Sequence, residues 1–152
     1  MSNNLSELQQ RRLRFWTSFI NNHAHKLRIQ TSQKPSVEDW LSVSAGRAGL
    51  KFGFTVKKDS VLVNFLNRLP EPQYSKVFQH LLANKAVIEN KLGRPLEFDP
   101  MEGTQRSMVR DRINGQGLDA ENEWDSLQAK MADRLNGMIE TLTPYIEEAL
   151  GK

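Results

Sequence analysis

The chain has 152 residues and a formal net charge of +3, with 38% apolar and 26% charged residues. That length buries about 70% of the unfolded surface in one core, and the composition excludes both a membrane-like and a disordered chain. Cysteine is absent, which excludes disulfides, thiolate metal sites and a thiol nucleophile together.

Apolar residues at Leu5, Leu8, Phe15, Trp16, Phe19, Ile20 and Leu27 recur at helical spacing and predict a first helix that ends near Arg28. Ser6 with Gln9 three positions later matches a capping box. After the polar loop at 30–35, Ser36-Val37-Glu38-Asp39 resembles a helix start, so a short helical turn is expected over 36–41. Leu50, Phe52, Phe54 and Val56 alternate with Lys51, Gly53, Thr55 and Lys57, the period of a strand with one buried face. Lys57-Lys58-Asp59 reads as a hairpin turn and 60–67 as the returning strand. That strand is apolar on both faces, so it is expected to be central and covered, in part, on both sides. Residues 41–44 form a further strand, joined by the turn Gly46-Arg47-Ala48-Gly49.

A second long helix follows Pro70-Glu71-Pro72. Tyr74, Val77, Phe78, Leu81, Leu82, Ile88 and Leu92 form its stripe, and Gly93 with Pro95 stops it. Residues 96–98 and 106–113 read as short strands. In the last segment Asp119 is expected as an N-cap, and Trp124, Leu127, Met131, Leu135, Met138, Leu142, Tyr145 and Ala149 recur every three or four positions. Pro144 predicts a kink around 140–143 or a break into two helices. The order is therefore α-β-β-β-α-β-β-α: a single α+β domain over 1–152, with an antiparallel or mixed sheet of about five strands and three long helices.

Candidate chemistry is sparse. His23 and His25 are two apart on a helix and point to different faces, and His80 stands on another helix, so no metal site is expected. No phosphate-cradling glycine loop and no nucleophile elbow occur, and no cofactor or catalytic residue is assigned. The element order also matches a restriction-endonuclease-like core, which requires metal-binding carboxylates on its second and third strands. Neither strand of the hairpin carries one, and the only Glu-x-Lys, Glu89-Asn90-Lys91, falls at a helix end. A degenerate nuclease-like domain without catalytic carboxylates stays an alternative.

Charge is the stronger lead. Residues 1–58 hold ten basic and three acidic residues, a net of +7, and the remainder hold eleven and fifteen, a net of −4. Lys51 and Lys57 share the outer face of one strand, with Lys58 at its turn. Arg106, Arg110 and Arg112 share one face of the late strand, separated by Met108. With Arg47 these seven residues are the candidate nucleic-acid contacts, because a basic sheet face can track phosphates. The same charge bias also fits a solvated face that pairs with the acidic half. A further alternative is a protein-interaction or oligomerisation domain that acts through the acidic C-terminal helix. Expected partners are nucleic acid, a separate nuclease subunit or a second copy, and no membrane. Met1-Ser2-Asn3-Asn4 leads into no signal-like apolar core, and no apolar run approaches the ~20 residues of a membrane span, so a cytoplasmic location is expected.

Phe15-Trp16-Thr17, Trp40-Leu41-Ser42, the hairpin at 49–68, then Phe78, Leu81, Lys85, Ile88-Glu89, Gly93, Leu96, Arg112-Ile113 and Trp124 occur in an order and spacing that resembles a bacterial and archaeal family, domain of unknown function 4268, from Arg12 to Ile146. The resemblance implies an α+β domain of this size. Its members often sit behind a restriction-endonuclease-like nuclease domain, which implies an accessory module near DNA metabolism or defence. Glu89, Arg112 and Trp124 resemble family positions, with Trp124 as a core anchor and Glu89 as a helix-end carboxylate.

Overall fold

The computed structural model describes residues 5–151, so the N-terminal tetrapeptide read above for a targeting signal lies outside them. Helix α1 spans Glu7–Asn22 and opens with the expected capping box: Gln9 N–H donates to Ser6 Oγ at 3.1 Å and Ser6 N–H to Gln9 Oε1 at 3.0 Å. It ends earlier than expected. His23 caps it, a 3₁₀ turn follows at Ala24–Lys26, and Leu27 turns into the core.

Strand β1 (Trp40–Ser44) begins where a helical turn was expected. The Ser36 hydroxyl does accept a local bond from Glu38 N–H, but two stronger constraints extend the chain. The buried Trp16 indole donates to the Glu38 carbonyl at 2.8 Å, and Val56 N–H donates to the Asp39 carbonyl at 2.7 Å. The outer edge of β1 is closed by side chains. Ser42 N–H donates to Gln33 Oε1 and Thr31 Oγ1 donates to the Ser42 carbonyl, at 2.9 and 2.8 Å.

Strands β2 (Leu50–Val56), β3 (Ser60–Asn67), β4 (Glu97–Asp99) and β5 (Ser107–Asn114) complete an antiparallel sheet in the order β1-β2-β3-β5-β4. The class is α+β, as the element order predicts. Its register places Leu41, Phe54, Val63 and Asp111 across one row and Val43, Phe52, Phe65 and Val109 across another, all on one face. That face meets the helices. Phe19 packs edge-on to Phe54 at 5.2 Å, and the core is continuous with Trp16, Val77, Leu81, Leu127, Met131 and Leu142. β3 is central, as expected. Its second face carries Leu62, Asn64 and Leu66; Leu62 and Asn64 are buried, as the expected partial cover requires, but Leu62 lies outside the core that the apolar residues of the helices share.

Four α-helices stand where three were expected. The stripe from Tyr74 to Leu92 divides into α2 (Gln73–Ala83) and α3 (Lys85–Leu92) at Asn84, whose carboxamide donates to the His80 carbonyl at 2.8 Å and so competes with the helical ladder. Gly93 then ends α3 in the left-handed conformation, with φ of 78°, as its position after the stripe predicts. Helix α4 (Trp124–Ala149) runs through Pro144 without a break. Leu142 and Ile146 are buried on either side of the proline, and that packing outweighs one missing backbone donor. Asp119 is no cap: a 3₁₀ turn at Glu121–Glu123 leads into α4, and Asp119 pairs with Arg11 instead. No described helix is long and apolar enough to cross a membrane.

Candidate nucleic-acid interface

The face of the sheet turned away from the apolar core is built by strand parity. In β1 it takes Trp40 and Ser42; in β2, Lys51, Gly53 and Thr55; in β3, Leu62, Asn64 and Leu66; in β5, Met108, Arg110 and Arg112. Arg68 and Arg106 continue β3 and β5 at one end. Arg68 N–H still donates to the Gly49 carbonyl at 2.7 Å, and the Arg106 carbonyl accepts from Tyr74 Oη at 3.0 Å. Lys51, Arg68 and Arg106 border a shallow cleft of about 370 Å³ whose far wall is Trp40, 45% exposed. These three cations make no ion pair among the described residues.

Gly53 forms the middle of the cleft because nothing larger fits there: a Cβ at this position would stand 2.4 Å from the Leu41 carbonyl oxygen. Asn64, directly across from Gly53 in the register, is 6% exposed. Its Nδ2 donates to Thr55 Oγ1 at 3.0 Å, and its Oδ1 has no partner.

The seven cations singled out from the sequence do not form one patch. Lys51 and Arg106 meet at the cleft. Arg47 lies in the β1–β2 turn and lines a different hollow, beside Thr143, Ile146 and Glu147 of α4. Lys57 and Lys58 sit in the turn at the opposite end of β2, where their carbonyls accept from Leu118 and Asp119 N–H. Arg110 and Arg112 reach the open face already paired: Arg110 Nη1 is 2.9 Å from Asp99 Oδ2, and Arg112 binds Glu97 through two bonds of 2.7 and 2.9 Å. The Arg112 bonds hold the Glu97 carboxyl below its ordinary value and raise the guanidinium. Asp99 is lowered first by the Met101 N–H and then by Arg110. These are the two acidic side chains that parity places on the open face, and both are neutralised there.

Arg68, Trp40 and Asn64 are site residues that charge counting misses. Parity holds the signal for Arg68, since 62, 64, 66 and 68 alternate onto the same face. For Asn64 it is a polar residue inside an otherwise apolar run.

Elsewhere the chemistry-bearing groups are occupied in structural roles. Glu89 Oε2 accepts from Leu96 N–H at 2.7 Å and latches the chain after α3. Trp124 is a core anchor, edge-on to Phe15 at 5.1 Å with its indole donating to the Leu118 carbonyl. His23 bonds Asp125 and His80 bonds Glu148, both at 2.9 Å. Among the described residues no group of three or more histidine or acidic side chains could hold a metal ion. The apolar side chains of α4 from Trp124 through Leu142 to Ile146 are turned inward.

No curated protein and no solved structure matches the chain. A family model does, over residues 11–146, and the resemblance drawn from the aromatic and glycine positions holds: the chain belongs to the family described as Domain of unknown function (DUF4268).

Proposed function

We propose that this domain is a non-catalytic interaction module that holds single-stranded nucleic acid across the open face of its sheet. The observation that carries the reading is the set Lys51, Arg68 and Arg106, unpaired at the rim of a cleft walled by an exposed tryptophan. Unpaired cations spaced along a groove suit a backbone of phosphates, and an exposed indole offers a surface on which a base stacks. A duplex has its bases stacked already and gives Trp40 nothing to bind. The cleft walls hold no histidine and no carboxylate, which favours binding over chemistry. A separate nuclease subunit, the partner that the family's context implies, would add to this contact.

The test is fluorescence anisotropy of labelled single- and double-stranded DNA at about 50 and 200 mM salt. Three phosphate contacts to a single strand predict a log–log slope near −2, hence a loss of roughly 20-fold over that fourfold change. Preference for the single strand with that slope supports the reading. No binding at the lower salt, or equal binding of duplex, overturns it.

A further inference from the structure

The three free cations are gathered at one end of the cleft. Arg68 and Arg106 each stand one residue beyond the last paired residues of their strands, Asn67 and Ser107, and the antiparallel register carried one step further sets them opposite each other. Lys51 is in the next row on this face, across from Leu66. Like charges directly opposite on a strand pair repel. No acid relieves them here. Glu97 and Asp99 are held by Arg112 and Arg110, and Glu71, three residues after Arg68, accepts from Ser75 N–H and Oγ at 3.2 and 2.7 Å.

The rest of the path has no charge to spare. Past Lys51 the cleft is lined by Ser42, Gly53, Thr55 and Trp40. A second hollow of about 430 Å³ shares Trp40, Ser42 and Lys51 with it and adds one lysine, Lys34, and one acid, Glu38. We propose that Arg68 and Arg106 together hold the terminal phosphate of the bound strand, so that the cleft takes a phosphorylated strand end in preference to a hydroxyl end. The proposal rests on the single-strand reading above and adds which part of the strand the cleft recognises. Diesters carry one charge each at even spacing, and a path that is neutral beyond Lys51 gives a row of them little to hold. A terminal phosphomonoester gathers nearly two charges and three free oxygens on one phosphorus. Two guanidinium forks that face each other match that group and turn their mutual repulsion into attraction. Lys51 then meets the first diester, and the bases run toward Trp40.

Competition anisotropy tests this with unlabelled single strands of about eight nucleotides, within the range one such face covers. They displace a labelled strand at about pH 7.5, above the second ionisation of the phosphate. One strand ends in a 5′-phosphate, one in a 3′-phosphate and one in hydroxyls. A hydroxyl-ended strand two nucleotides longer carries the same total charge as either phosphorylated one. Expected is roughly tenfold tighter binding of one phosphorylated strand than of this charge-matched strand, the scale of a hydrogen bond to a charged group. Arg106→Lys, on an exposed side chain, keeps the charge and loses the fork, so the preference falls below about threefold. Lys51→Gln weakens both strands alike and leaves the preference in place.

Equal affinity for the phosphorylated and the charge-matched strands overturns end recognition and leaves the single-strand reading standing. A preference that survives Arg106→Lys, or that Lys51→Gln removes as fully, overturns the assignment to the arginine pair. Failure of every strand to bind at low salt overturns both readings. Inorganic phosphate that competes at strand-like concentrations overturns the assignment to a strand end.

Discussion

Arg112 and Glu97 are two residues whose charges cancel each other through paired N–H···O bonds, although they lie fifteen positions apart in the chain. Glu97 consequently ionises below its ordinary value of 4.5. A depressed folded-state value means that the pair's contribution is complete above pH 4.5 and fades as pH falls through the lower, folded value. Carbon-detected NMR titration of Glu97 in the wild-type chain is expected to show a midpoint below 4.5, and Arg112→Gln to move it upward. An unchanged midpoint in the variant assigns the shift to another cause. Arg110 and Arg112 read as available in the sequence, but Asp99 and Glu97 take up their charge in the fold. Their alternation with Met108 was legible. Their acids sit on the three-residue strand β4, whose partner and register no local pattern reveals.

At the scale of elements, one buried carboxylate ties three of them. Asp111 on β5 is 1% exposed. It accepts from Arg94, just after α3, at 2.9 Å and from Arg134 on α4 at 3.1 Å. Asp111→Ala leaves two guanidiniums facing each other over a void. The expected loss is about 3 kcal/mol by urea denaturation, at the low end for a broken buried pair because both arginines keep contact with water. A loss below about 0.5 kcal/mol would show that the clamp contributes nothing net. Elements with a strong period were legible in the sequence: the alternation of β2, the capping box of α1, the glycine stop of α3. The failures have a common physical form. Of the kink or break that Pro144 predicts, the break is absent: a missing donor is a local signal, whereas the burial of Leu142 and Ile146 that holds the helix together is tertiary. Asn84 divided a helix for the opposite reason, through a local bond of its own side chain that an apolar stripe does not register.

For the whole molecule, three cations of the basic first third, Arg11, Arg14 and Arg28, are answered by acids of the remainder. Arg11 of α1 pairs with Asp119 and Glu121 and Arg14 with Glu121, in the segment just before α4, while Arg28, beyond α1, pairs with Glu140 of α4. The half-to-half bias seen in the sequence is therefore partly internal bookkeeping, and the free cations are fewer and more localised than a count implies. Two charge-reversal sets separate the regions. Lys51→Glu with Arg68→Glu and Arg106→Glu is expected to abolish single-strand binding at about 100 mM salt. Lys57→Glu with Lys58→Glu, in the turn after β2 and outside the residues that line the cleft, is expected to leave it within about twofold, because salt screens exposed charge. Anisotropy titration of both variants checks this, and equal losses would mean that diffuse charge governs binding.

Gln33 and Thr31 deny other chains a place at the edge of β1. A five-stranded sheet ends in two edges, and an edge normally advertises unpaired amides to any extended segment that passes. On β1 the Ser42 amide and carbonyl are already occupied by a glutamine and a threonine from the preceding loop, so an incoming strand finds its ladder taken. Growth by strand addition is closed on that side. A partner that reaches this half of the protein must approach from above the pleat, where Trp40 stands, and must recognise side chains where it cannot extend a backbone.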